Sequence, residues 1–309
     1  MLGPVLLAAS RSDRARRIVS GTRAVRPVVN RFVAGDELRP ALDSVHALAG
    51  AGLDVTLDHL GEDVTDKGSA TAGRDAYLRL LEALSAEGLS HCAEVSVKLS
   101  AFGQALPRGG HDIALANVRP VAELASATGT TVTLDMEDHT TVDSTLAILR
   151  ELRERHPDTG AVLQSYLFRT EQDARDLAGP GSRVRLVKGA YREPASVAYQ
   201  DRAAVDLAFV RCLKILMAGE GYPMVGSHDP RMIAVAQQLA ASHDRKPGRY
   251  EFQMLYGIRT AEQRRLARTG ERMRVYVPYG ADWYGYFMRR LAERPANLAF
   301  FLRSFLPTR

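Results

Sequence analysis

The chain has 309 residues, 46% hydrophobic and 25% charged, a composition that fills a core and excludes a disordered or low-complexity protein. Its 41 basic residues stand against 36 acidic ones, and outside the N-terminus there is no basic stripe with interleaved aromatics. That excludes nucleic acid as a partner and leaves the net charge of +5 as a weak attraction for anions.

The opening MLGPVLLAAS is apolar, but Arg11, Arg14, Arg16 and Arg17 follow it instead of preceding it, the wrong order for a secretory signal. Residues 1–31 hold seven arginines and one acid, Asp13. Such a balance is shared by transit peptides and by helices lying on anionic lipid, and it also suits an amphipathic helix packed on the domain, the reading preferred here. No apolar run of about 18 residues follows, so no membrane span is expected. Cys92 and Cys212 have no CxxC spacing and read as buried, reduced thiols of a cytoplasmic protein. The eight histidines form no HExxH motif or His/Cys cluster, and no metal site is expected.

From Gly35 helical and strand periods alternate. Leu38, Ala41, Leu42, Val45 and Leu48 share a helix face, and LDVTLDHL (53–60) is the first strand. A helix carrying Tyr77, Leu78, Leu81 and Leu84 leads to AEVSVKLS (93–100), and one near 112–128 leads to TTVTLDME (130–137). Val142, Leu146, Leu149 and Leu152 precede AVLQSY (161–166), and a short helix capped by Thr170 precedes RVRLVKG (183–189). A helix over about 198–218 precedes PMVGS (223–227). Asp229 caps a helix with Pro230 at its first position, before YEFQML (250–255). Thr260 with Gln263 has the spacing of a capping box, and Gly270 stops that helix before MRVYVP (273–278).

Eight short apolar strands, each followed by a helix, predict a (βα)8 barrel over residues 51–309, with residues 1–50 as an N-terminal helical segment packed on it. The alternative, a doubly wound sheet, calls for a Gly-rich fingerprint after the first strand, and HLGEDVTDKG lacks the GxGxxG spacing. Barrel chemistry sits at the C-terminal strand ends. Read across them, the second strand brings Lys98, the third Asp135 and Glu137, the fourth Gln164 and the fifth Arg185 and Lys188. The sixth brings Ser227 and His228, the seventh Gln253 and the eighth Tyr276. Every strand after the first thus sends a polar group to one rim, and unpaired buried charge is too costly to be ornamental.

After the last strand, a helix from Asp282 to about Arg294 puts Tyr286, Arg289, Arg290 and Glu293 on one face and Tyr284, Phe287, Met288 and Leu291 on the other. It closes over the C-terminal face. Two adjacent arginines repel unless an anion lies between them, and a guanidinium fork suits a carboxylate. The rim cations outnumber the rim acids, so an anionic ligand is expected. A rival reading makes Lys98 a Schiff-base nucleophile in an aldolase or a phosphate-handling lyase. It requires a neutral lysine, whereas Asp135 and its neighbours favour the charged form.

SVKLSAFG (96–103), TLDMED (133–138), LQSYL (163–167), RLVKGAY (185–191), GSHD (226–229), EFQMLYGIR (251–259) and the closing YVPYG…RRLAER resemble, in order, the proline dehydrogenases. The resemblance implies an FAD-dependent (βα)8 enzyme that oxidises L-proline to Δ1-pyrroline-5-carboxylate, the first step of proline catabolism. It implies quinone as electron acceptor and a cytoplasmic location, with peripheral contact at the inner face of the membrane through the basic N-terminus. On the matching positions, Lys98, Arg289 and Arg290 clamp the substrate carboxylate, Tyr276 packs on its ring and Leu255 lies beside it. Asp135 and Arg185 match active-site positions, and Glu293 a carboxylate near the clamp. Met136, Gln164, Arg185, Val187, Lys188, Gly189, Ala190, Ser227, His228 and Gln253 match the FAD lining. Ser227 and Asp229 stand where many relatives have Thr and Asn; serine keeps the hydroxyl. Neither the DNA-binding module nor the aldehyde dehydrogenase domain of bifunctional relatives is seen, which resembles the monofunctional form.

Overall fold

The computed structural model describes residues 25–293. Its eight strands, β1 (Asp54–His59), β2 (Ala93–Val97), β3 (Val132–Leu134), β4 (Gly160–Gln164), β5 (Arg183–Val187), β6 (Tyr222–Gly226), β7 (Glu251–Leu255) and β8 (Met273–Tyr279), pair in parallel in chain order. β8 closes on β1 with Thr56 opposite Tyr276, completing the barrel the alternation predicts. Closure removes every sheet edge, and the outward residues, such as Val55, Leu57, Val95, Val97, Val184 and Leu186, are buried under the helices.

The helices are α1 (Arg26–Val29), α2 (Leu38–Ala49), α3 (Lys67–Ala86), α4 (Gly110–Ala127), α5 (Val142–Arg153), α6 (Thr170–Asp176), α7 (Arg202–Ala218), α8 (Pro230–Ser242), α9 (Thr260–Arg268) and α10 (Trp283–Glu293). Asp229 caps α8 as expected, accepting from the Arg231 amide with Pro230 in the first turn. Two expected caps do not form. The Thr170 hydroxyl donates back to the Gln164 carbonyl, tying α6 to the end of β4. Gln263 turns from the start of α9 to donate to the carbonyls of Leu255, at the end of β7, and of Ile258, in the loop after it.

Of the N-terminal segment, Val25, Val28, Val29, Phe32 and Val33 form a second core with Trp283, Tyr284, Tyr286, Phe287, Met288 and Leu291. Tyr286, which the helical period places with the arginines, is buried in this second core as well. The segment is held by the Ala34 amide on the Pro278 carbonyl, and by Gly280 on Gly35. Residues 1–24, with their expected amphipathic helix and membrane contact, and the side chain of Glu293 lie outside the described residues.

Candidate active site

Inward positions alternate along each strand, and here they are polar to an unusual depth for a barrel lumen, where branched aliphatics are the rule. At the floor, Glu94 meets Arg183 at 2.5 Å and Arg274 meets Glu251 at 2.8 Å. A cavity of about 400 Å3 opens at that N-terminal end. The arginines 183, 272 and 274 that line it are already paired with Glu94, Asp54 and Glu251, so they serve as structural countercharges.

One layer up the pairing changes character. Arg185, 4% exposed, donates to Asp135 Oδ1 at 2.8 Å and to Ser96 at 3.1 Å. Asp135 Oδ2 accepts from the Tyr276 hydroxyl at 2.6 Å, and that hydroxyl accepts from Lys98 at 3.2 Å. Lys98 also donates to Asp58 Oδ2 at 2.5 Å. The Lys98 and Arg185 cations lie 5.8 and 5.3 Å from the centre of the Tyr276 ring, so both are within reach of its π face. Burial works against ionisation of Asp135, but Lys98 and Arg185 more than offset it and hold the carboxyl below its usual range. Burial likewise opposes the Lys98 charge, and Asp58, Tyr276, Glu62 and Asp135 overcome it, raising this ammonium well above an ordinary lysine.

Across the chamber, α10 presents Arg289, whose Nη2 donates to Glu62 Oε1 at 2.8 Å. Lys98 Nζ lies 3.6 Å from that same oxygen. A cation just after β2 and one on α10 thus face one carboxylate oxygen, Arg289 at hydrogen-bond distance and Lys98 at the longer range of an ion pair. Burial pushes Glu62 upward, yet Lys98 and Arg289 draw it below its usual value. Arg290 is half-buried, its guanidinium 5.1 Å from the centre of the Tyr286 ring. Glu137 accepts from the Ser100 amide at 2.9 Å and hydroxyl at 2.6 Å, and burial pushes its carboxyl up to about 7.

The ends of β3 to β7 form an adjoining wall. Gln164 donates to the Glu137 carbonyl at 2.7 Å, and Met136 is buried beside it in sequence. The Ser227 hydroxyl accepts from the Asp229 amide at 3.1 Å. His228 Nε2 accepts from the Leu255 amide at 2.9 Å, which leaves Nδ1 as the protonated nitrogen of the neutral ring. Among the described residues, buried Arg185 Nε and Gln253 Oε1 find no hydrogen-bond partner. Buried polar atoms of this kind are normally satisfied, so these two suit a ligand rich in polar atoms. Gly189 has φ +115°, and a Cβ there would stand 2.4 Å from the Tyr166 ring, so the strap after β5 runs hard against its neighbour. Val187 and Leu255 are half-buried and Ala190 exposed along this wall.

A profile described as Proline dehydrogenase matches residues 41–303. Proline dehydrogenase 1 of Bacillus subtilis (strain 168) is 41% identical over 276 residues, covering 89% of this chain and 90% of that protein. Proline dehydrogenase of Deinococcus radiodurans is 42% identical over 283 residues, 90% of each. The chain belongs to the proline dehydrogenase family. Among solved structures, proline utilization A from Bdellovibrio bacteriovorus, inactivated by N-propargylglycine, superposes with a TM-score of 0.79 at 26% identity over 90% of this chain. The protein from Corynebacterium freiburgense gives 0.76 at 22% identity over 98%, a likeness of fold alone. The chain spans about a third of the length of those two proteins, 34% of each.

For this proline dehydrogenase family member, the structure brings together Lys98, Asp135, Arg185 and Tyr276 from the strand ends, and joins Arg289 of α10 to them through Glu62. It also corrects two expectations. Lys188 is paired with Asp206 and Asp229, so it adds no free positive charge to the chamber. The first strand is not silent: it supplies Asp58, and the loop after it Glu62, which cancel much of the expected cationic surplus. Asp58 is the penultimate residue of β1, at the same depth as the rim residues of the other strands, and Glu62 lies in the loop beyond it, where no strand period applies. For Asp58 the two-residue period was the available signal, since Asp54, Thr56 and Asp58 share one face of β1.

Proposed function

We propose that this enzyme oxidises L-proline to Δ1-pyrroline-5-carboxylate by hydride transfer to FAD, with the electrons passed on to a quinone. The observation that carries the reading is the convergence of Lys98 and Arg289 on Glu62 Oε1: an internal carboxylate sits where the substrate's carboxylate would be gripped. The curated relatives named proline dehydrogenase, which match over nine-tenths of their length, supply the substrate class.

In this mechanism Lys98, Arg289 and Arg290 fix the carboxylate, and Tyr276 and Leu255 pack on the ring. The ring CH2 next to nitrogen, on the side away from the carboxylate, is thereby held at one position and orientation. The C–H bond there breaks with both its electrons while the nitrogen lone pair of the neutral amine forms the C=N bond. FAD, when bound, supplies the hydride acceptor. Arg185, whose Nε has no partner among the described residues, and Gln253 would hold its polar edge. Met136, Gln164, Val187, Lys188, Gly189, Ala190, Ser227 and His228 would line it. Asp135 holds Arg185 and the Tyr276 hydroxyl in register, so that a guanidinium charge stands ready where negative charge arrives.

The Schiff-base reading is weakened by the lysine itself. Four acidic or phenolic neighbours keep Lys98 protonated, and an ammonium has no lone pair with which to attack a carbonyl. We place the reaction in the cytoplasm, with access to quinone through a peripheral contact of the N-terminal segment; among the described residues no helix is long and apolar enough to cross a membrane.

The test is a spectrum. Purified protein should carry flavin absorbance that bleaches when L-proline is added without oxygen. Protein that binds no flavin, or bound flavin indifferent to proline, would overturn the proposal, and borohydride trapping of a substrate on Lys98 would select the rival.

A further inference from the structure

An ammonium group has three N–H bonds. For Lys98 one is spent on Asp58 at 2.5 Å and one on the Tyr276 hydroxyl at 3.2 Å. Its other charge contacts, to Asp135 at 3.5 Å and to Glu62 at 3.6 Å, are looser ion pairs, so the third N–H is only weakly engaged by these two carboxylates. Asp58 is 1% exposed and is fixed from behind. Its Oδ1 lies 3.2 Å from the hydroxyl of buried Tyr77 on α3, which also reaches the Ser96 carbonyl at 2.8 Å and accepts from the His59 amide at 3.1 Å. A carboxylate buried beside a carboxylate-binding chamber is costly, and it repels the ligand. Its placement therefore calls for a function that outweighs the repulsion.

We propose that Asp58 is a positioning residue. Backed by Tyr77, it holds the Lys98 ammonium against the β1 side of the chamber, which keeps that flexible cation from closing onto Asp135 or Glu62 and leaves one N–H for the substrate carboxylate. The same restraint reaches Tyr276. Because Lys98 donates to the phenol oxygen, the single phenolic hydrogen is committed to Asp135 at 2.6 Å. The hydroxyl then offers only a lone pair to the ring-binding space. This role of Asp58 rests on the reading that Lys98 grips the substrate.

The test is a double-mutant cycle on flavin-loaded enzyme, with KM and kcat for L-proline and flavin content measured throughout. Asp58→Ala should raise KM by about tenfold, the scale of one charge-assisted hydrogen bond, and change kcat by less than about threefold. Asp58→Asn, whose amide oxygen still accepts from Lys98, should recover part of the loss. In a Lys98→Met background Asp58→Ala should leave KM where Lys98→Met puts it, because no ammonium remains to be placed. An unchanged or lowered KM in Asp58→Ala would show that Asp58 acts only as a repelling charge, and an equal rise in both backgrounds would show a general disturbance; either overturns the proposal. If Asp58→Ala does not fold, Asp58→Asn decides through its affinity for cyclopentanecarboxylate, a ring acid without the amine: weaker binding than wild type supports positioning, equal or tighter binding overturns it. Flavin bleaching by L-proline in the wild type is read separately, so failure of the catalytic reading is not confused with failure of this one.

Discussion

The contacts of Glu62 with Arg289 and Lys98, the residues proposed to grip the substrate carboxylate, give the most direct test of that proposal. Replacing Glu62 by Gln leaves the side chain's size and one acceptor oxygen but removes the anion that Arg289 holds at 2.8 Å and Lys98 at 3.6 Å. A hydrogen bond between charged groups contributes about 1.5–3 kcal/mol. The Glu62 side chain is 17% and that of Arg289 29% exposed, so solvent screening places this one lower, at about 1–2 kcal/mol. An incoming carboxylate no longer has to displace the internal one, and its affinity should rise by about five- to thirtyfold. Cyclopentanecarboxylate titrated into the flavin-loaded protein, followed by the change in flavin absorbance at low and moderate salt, measures this without turnover. The gain should shrink as salt is raised, because the released charges are partly exposed. Equal or weaker binding in Glu62→Gln would refute the reasoning, and would mean that Glu62 matters by aiming Arg289 and not by filling its place.

Arg289→Ala should weaken proline capture by about 1.5–3 kcal/mol with flavin content unchanged, read as a rise in KM at constant absorbance ratio; unaltered kinetics would remove Arg289 from the clamp. Glu137, pushed up to about 7 from an ordinary 4.5, holds its proton more tightly folded than unfolded, so its contribution to stability is full below pH 4.5 and is lost as pH rises through about 7. Urea unfolding across that window should show Glu137→Gln losing less stability than wild type, by up to about 3 kcal/mol; parallel curves would show that Glu137 ionises normally. Gly257 has φ +71°, and a Cβ there would lie 1.7 Å from the Arg31 carbonyl oxygen. Gly257→Ala should therefore dislodge the segment that covers α10 and lower the melting midpoint by roughly 5 °C; an unchanged midpoint would mean that this contact relaxes freely.

The barrel was legible in the sequence because it rests on local physics. Each strand was bounded by turn residues, each helix announced itself by period, and Asp229-Pro230 marks the start of α8 where the structure puts it. The side chains that reach the rim from β2 to β8 followed from counting strand ends, and the pair Arg289–Arg290 from its place after the last strand. What could not be read was which charges neutralise which. Glu62 and Arg289 are 227 positions apart, and Lys98 and Tyr276 178, and only closure of β8 onto β1 makes them neighbours. The same closure shows Lys188 already paired with Asp206 and Asp229 and Asp58 behind Lys98, so the electrostatics of the chamber are a property of the closed barrel and not of any segment of it. Period and propensity act over a few residues and determine elements; Coulomb interactions in a buried lumen act through space, and tertiary structure alone decides their partners.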